Sequence, residues 1–196
     1  MHQLKGGLYS PEFEKDACGF GLIANMDDKP SHWLVETTIG ALERLTHRGA
    51  VAADGKTGDG CGILMKKPDA FLRLLADESG IELAEHYASG IVFLHQDADK
   101  ISAAKAELEK QLDAEGLSVA GWRDVPIDAE QACGNEALNT LPHLEQVFVN
   151  SPADLDKAAF EAKLVFARRR TENALTDDDV FYIPSLSANV LSYKGM

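Results

Sequence analysis

Hydrophobic and polar positions along the chain alternate between two periods, which predicts a string of strands and helices. Gly19-Phe20-Gly21-Leu22-Ile23-Ala24 is a short apolar run and predicts a first, buried strand over residues 19–25. Asp27-Asp28-Lys29-Pro30 is a turn, and Ser31 can cap the helix that follows. Leu34, Thr38, Ala41 and Leu45 lie along one face of that helix, with Val35, Ile39 and Leu42 beside them. A second strand is predicted at residues 63–65 and a helix at 68–79, with Phe71, Leu72, Leu74 and Leu75 as its apolar positions. Gly90-Ile91-Val92-Phe93-Leu94 is continuous and apolar, as a central strand requires.

The same pattern runs to the end of the chain. Residues 97–115 predict an amphipathic helix with Ile101, Ala104, Leu108 and Leu112 inward and Lys105, Glu109 and Lys110 in water. Strands follow at 117–122 and 144–149, with a short helix near 136–139 between them. Residues 154–172 predict a helix with Leu155, Ala159, Ala162 and Phe166 on one face. Its Arg168-Arg169-Arg170 run is placed near the C-terminus, where cations complement the helix dipole. Two last strands, 180–186 and 190–193, are joined by Ser187-Ala188-Asn189 and predict a hairpin. The sum is an α+β chain with a mostly antiparallel sheet covered by helices.

Composition narrows the field. The 196 residues are 45% hydrophobic and 26% charged, within the range of one globular domain or part of a larger one. Nineteen basic against 32 acidic residues give a formal net charge of −13, which disfavours nucleic acid and anionic membrane surfaces as partners. No apolar run approaches the roughly 20 residues a spanning helix needs. The three cysteines, Cys18, Cys61 and Cys133, form no C-x-x-C pair. No metal site is expected, and the reducing cytoplasm is the expected compartment.

The chemistry converges on few residues. Gly55-Lys56-Thr57 resembles the end of a phosphate loop, but Ala50 stands where that pattern needs glycine, and the stretch follows a helix. Lys56 and Gly58 are poor calcium ligands. His47 is read as a helix-end contact. Cys18, flanked by Gly19, is the candidate nucleophile. Two routes could activate it. A histidine could deprotonate it, as in papain-like hydrolases. Alternatively, removal of a leader over residues 1–17 would make it the first residue. Its own α-amine, with a pKa of about 7.7–8.0, would then serve as base.

Beyond Cys18, five blocks in order carry a family resemblance. They are Phe13-Glu14-Lys15-Asp16-Ala17-Cys18-Gly19-Phe20-Gly21; His47-Arg48-Gly49-Ala50 with Ala53 to Gly62; Gly121-Trp122-Arg123-Asp124-Val125-Pro126; Ala167-Arg168-Arg169-Arg170; and Ser185-Leu186-Ser187 with Tyr193-Lys194-Gly195-Met196. Together they resemble the class II glutamine amidotransferase domain, an N-terminal-nucleophile hydrolase, that opens bacterial NADPH-type glutamate synthase large subunits.

The resemblance implies a four-layer αββα sandwich, a propeptide over residues 1–17, and an amidotransferase portion over 18–196. It implies Cys18 as nucleophile and glutamine as substrate, in glutamate biosynthesis and ammonia assimilation. Arg48, Gly49, Asp59 and Gly60 become candidates for the wall of the site, and no cofactor is expected on this chain. For the longer protein the resemblance implies FMN, an iron–sulfur cluster and a small NADPH-oxidising subunit. In the family, the glutamine-holding arginine and the Asn-Gly oxyanion pair follow the Tyr-Lys-Gly-Met block. The chain is therefore expected to be an incomplete domain with little glutaminase activity by itself, since each missing oxyanion donor costs about 2.7–4 kcal/mol. The alternative is a non-catalytic chain acting as an interaction module or inert fragment.

Overall fold

The computed structural model describes residues 19–195, and the chain divides at Ala50/Val51 into two compact units. In the first, α1 (His32–Glu43) starts on Ser31, whose hydroxyl accepts the Leu34 N–H at 3.4 Å. A 3-10 turn, Thr46–Arg48, follows it. Residues 19–25 form no strand. Phe20 is 92% and Leu22 89% exposed. An extended run becomes a strand only against a partner, and the described part of this unit contains helix and turn alone.

The second unit contains β1 (Cys61–Lys66), α2 (Asp69–Glu78), β2 (Tyr87–Leu94), α3 (Ala98–Ala114), β3 (Ser118–Asp124), α4 (Ala129–Ala132), α5 (Asn135–Asn139), β4 (His143–Asn150), α6 (Lys157–Ala174), β5 (Tyr182–Ser187) and β6 (Val190–Gly195). Two antiparallel sheets result, one in the order β3-β4-β2-β5 and the other pairing β1 with β6. β2 is interior to its sheet, as its unbroken apolar run predicts.

Capping chemistry sets the long helices. Asp97 accepts the N–H groups of Asp99 and Lys100 at the start of α3, and Asp156 those of Ala158 and Ala159 at the start of α6. α2 and α3 both end in glycines with positive φ, Gly80 at 68° and Gly116 at 73°. At each end the next residue's N–H reaches back to close the helix, Ile81 to Ala76 and Leu117 to Leu112.

Alternate residues of β2 serve two cores. Ala88, Val92 and Leu94 meet Ala104, Leu108 and Leu112 of α3 and Phe160, Leu164 and Ala167 of α6. Tyr87 and Ile91 face the opposite way, toward Leu72 and Ala76 of α2 and Leu191 of β6. Each fully buried leucine is worth about 1.5–3 kcal/mol. The layers are thus a helix pair, the four-stranded sheet, and the β1–β6 pair with α2.

Five expectations change. The predicted closing hairpin is a sheet crossing: β5 pairs with β2 and β6 with β1. Glu161 of α6 holds the crossing, accepting from Ser187 Oγ, Ala188 N and Asn189 Nδ2 at 2.9, 2.7 and 2.8 Å. The buried face of α6 is Phe160, Leu164, Ala167 and Thr171, and Phe166 is 56% exposed. The arginine run ends four residues before the helix does and is ion-paired: Arg168 and Arg169 with Glu172, Arg170 with Glu115. Lys105 is no solvated surface residue, since its Nζ lies 2.5 Å from Glu145 Oε2. On α2, Phe71 and Leu74 are exposed while Leu72 and Ala76 are buried.

Candidate functional site

Cys18 and residues 1–17 lie outside the described residues, so the site is built from what flanks them. In the first unit, the Arg48 side chain lies along the backbone of Gly19, the residue after Cys18. A Cβ added at Gly19 would sit 3.1 Å from Arg48 Cγ and 3.3 Å from its Cβ. The turn that presents Arg48 is closed by Arg48 N–H to Leu45 O and Gly49 N–H to Thr46 O. His47 Nδ1 lies 3.1 Å from the Arg44 carbonyl, so a protonated Nδ1 donates to the helix end, as expected of it.

In the second unit, the glycine-rich loop is built around Asp54. Its Oδ1 accepts the N–H groups of Lys56 at 3.0 Å and Thr57 at 2.8 Å. Its Oδ2 accepts the Thr57 hydroxyl at 2.5 Å and the Glu136 N–H at 3.2 Å. Thr57 Oγ1 in turn accepts the Ala137 N–H at 3.3 Å, and Lys56 Nζ donates to Gln131 O. The Thr57 hydroxyl foremost, then the Lys56 and Thr57 amides, hold the Asp54 carboxyl well below the usual carboxylate range. The latch depends on Gly134, where a Cβ would sit 2.2 Å from Asp54 Oδ2.

The other end of the loop passes into β1. Gly60 has φ of 100°, open to glycine and strained for other residues, and Asp59 beside it is exposed. Cys61, exposed at the start of β1, pairs with Gly195, and Gly62 with Lys194. Cys133, half-buried, ends α4.

A cavity of about 340 Å³ opens nearby, lined by Phe71, Leu75, Ile91, Arg123, Tyr193 and Lys194 among others. Arg123 Nη1 donates to Gln146 Oε1 at 2.8 Å, and Gln146 Nε2 donates to Ser89 Oγ at 2.8 Å. Burial pushes the Tyr193 hydroxyl above the ordinary phenol value.

Three of the sequence blocks therefore meet in the second unit: residues 54–62 and 193–195 through the β1–β6 ladder, and 121–126 with 193–194 around the cavity. Arg168-Arg169-Arg170 belongs to the helix pair instead. Sequence reasoning missed the latch. Its only local signal is the Asp54-x-x-Thr57 spacing, which suits a carboxylate accepting amides two and three residues on. Among the described residues no helix is long and apolar enough to cross a membrane.

The family model described as "Glutamine amidotransferases class-II" matches residues 18–196. The chain is similar to the glutamate synthase [NADPH] large chain of Bacillus subtilis, 38% identical over 97% of this chain and 13% of the relative. It is 41% identical to that of Azospirillum brasilense, over 96% of this chain and 13% of the relative. A Synechocystis ferredoxin-dependent glutamate synthase 2 is 36% identical over 93% of this chain and 12% of its own length. The chain thus spans 12–13% of the length of these curated relatives. By a family match over nearly its whole length, the chain belongs to the class II glutamine amidotransferases.

Proposed function

We propose that this chain carries the nucleophile of a glutamine-hydrolysing amidotransferase, with residues 1–17 as a propeptide and Cys18 as the mature first residue. The observation that carries the reading is the family match, which starts on Cys18. The Cys18 α-amine takes the thiol proton, and the thiolate attacks the side-chain carboxamide carbon of glutamine. The tetrahedral adduct collapses with cleavage of the C–N bond, and the α-amine returns its proton to the leaving nitrogen, which departs as ammonia. Water then attacks the thioester, releasing glutamate and restoring the thiol. Arg48 and Gly49 form one wall of this site, as the Arg48 stem beside Gly19 supports. Asp59 and Gly60 lie on a loop of the second unit whose shape Asp54 fixes. The two sheets with a helix pair on one face support a four-layer αββα sandwich as the complete architecture.

In the longer polypeptide, the ammonia aminates 2-oxoglutarate in glutamate biosynthesis, in the cytoplasm. The 38% and 41% identities to large chains named for NADPH support an NADPH-type enzyme with a small NADPH-oxidising subunit. FMN and the iron–sulfur cluster belong to that polypeptide. Among the described residues neither Cys61 nor Cys133 joins a group of three close metal-ligand side chains, and no step is derived through either group.

The test is the intact mass of the purified chain after incubation with a thiol-alkylating glutamine analogue. Loss of residues 1–17 with one adduct on Cys18 is the expected result. An adduct on Cys61 or Cys133, or a labelled Cys18 with the leader still attached, overturns the assignment.

A further inference from the structure

The edge of the four-stranded sheet carries a side-chain cluster that the amidotransferase reading does not use. Asp124, the last residue of β3, stands directly opposite Glu145 of β4, and His143 precedes Glu145 by two residues. Strand period and antiparallel register put all three on one face of the sheet. The side chains are graded in exposure: Glu145 8%, His143 34% and Asp124 81%. His143 Nε2 lies between the carboxylates, 3.3 Å from Asp124 Oδ1 and 3.4 Å from Glu145 Oε1. One ligand atom from each residue lies within 4.8 Å of the other two.

The two separations from His143 Nε2 are compatible with shared coordination of a small cation. They exceed the roughly 2.7–3.2 Å of a formed N–H···O hydrogen bond. They match the edge of a coordination tetrahedron, since metal–ligand bonds of about 2.0–2.2 Å place ligand atoms about 3.3–3.6 Å apart. The buried member is also fixed in advance. Lys105 Nζ lies 2.5 Å from Glu145 Oε2, the carboxylate oxygen other than the one paired with His143, and is itself held 4.7 Å from the Trp122 ring centroid. Glu145 is thereby oriented with Oε1 toward the imidazole. Two carboxylates and one ammonium leave a net negative charge at the cluster, which suits a dication.

We propose that Asp124, His143 and Glu145 bind a divalent transition-metal cation of the zinc type, with water completing the shell. An imidazole with two carboxylates selects zinc-like ions over calcium or magnesium, which take oxygen ligands. The ion clips the end of β3 to the start of β4, and Lys105 acts as a positioning residue that holds Glu145.

Titration calorimetry of the tag-free full chain with Zn²⁺ tests the proposal, with thermal melting in the same ion as second readout. The parent is expected to bind one Zn²⁺ at this site and to melt higher in its presence. His143→Ala and Asp124→Asn should each abolish that site or weaken it beyond the ~10–100-fold typical of an outer-shell partner. Both side chains reach solvent, so the variants should fold, and circular dichroism checks that they do. Lys105→Gln, which removes the group that orients Glu145, should weaken Zn²⁺ binding by the ~10–100-fold typical of an outer-shell partner. The proposal is overturned if the parent takes up no Zn²⁺, or if stoichiometry, affinity and the melting shift persist in both His143→Ala and Asp124→Asn. Persistence would place the ion elsewhere on the chain.

Discussion

Glu161→Ala tests the sheet crossing that delivers β6 to the loop at Gly62. One carboxylate oxygen receives three donors: the Ser187 hydroxyl, the Ala188 amide and the Asn189 side chain. Ser187 Oγ then accepts the amides of Asn189 and Val190, so the turn's shape passes through that oxygen. An oxygen has two lone pairs, so three donors are worth about two full bonds. Hydrogen bonds to a charged group contribute about 1.5–3 kcal/mol each, and a half-buried position favours the low end, giving a loss of roughly 3 kcal/mol. At about 2–4 °C per kcal/mol for a chain of this size, Glu161→Ala should melt about 6–12 °C below the parent. Glu161→Gln keeps a carbonyl acceptor at the same reach and should lose less than half as much. Circular dichroism melts at neutral pH measure both. A Glu161→Ala midpoint within about 2 °C of the parent would refute the reasoning, because one lost acceptor bond already exceeds that.

Gly134→Ala forces a methyl group against Asp54 Oδ2 and Thr57 Oγ1, at 2.2 and 2.5 Å. It should destabilise by about 1–3 kcal/mol, read as a lower urea midpoint with unchanged slope. The Asp54 carboxyl, depressed by its hydrogen bonds, stabilises fully above the ordinary carboxylate value of 3.8, and this is lost as pH falls below it. The urea-midpoint difference between the parent and Asp54→Asn should therefore be widest at neutral pH and narrow progressively as pH drops below that value. A difference independent of pH would sink the latch as described.

What the sequence revealed depended on how far apart the interacting residues lie. α3 was legible because its cap, Asp97, and its inward positions Ala104, Leu108 and Leu112 all fall within one segment. α6 was found, but its face was misread for a local reason. The count began at Leu155, which precedes the N-cap Asp156 and is outside the helix. Phasing from it selects residues 159, 162 and 166, one or two positions short of the buried 160, 164 and 167. Phe166 and Val165 add apolar surface on the solvent side, so hydrophobicity alone could not correct the phase.

The site shows the same limit at longer range. Asp54 was visible as a loop residue, yet what it holds lies 82 positions away at Glu136, and Lys105 reaches Glu145 across 40. No periodicity within a segment reports such pairs. The ordered blocks revealed the family without revealing which of them meet. Residues 54–62, 121–126 and 193–195 share a ladder and a cavity rim, which a common site would explain. Residues 168–170 instead tie α6 to itself and to the end of α3 through Glu172 and Glu115. A block can thus carry a family resemblance through packing alone. Its presence in the sequence is not a reason to place it at the chemistry until the structure shows what its side chains touch.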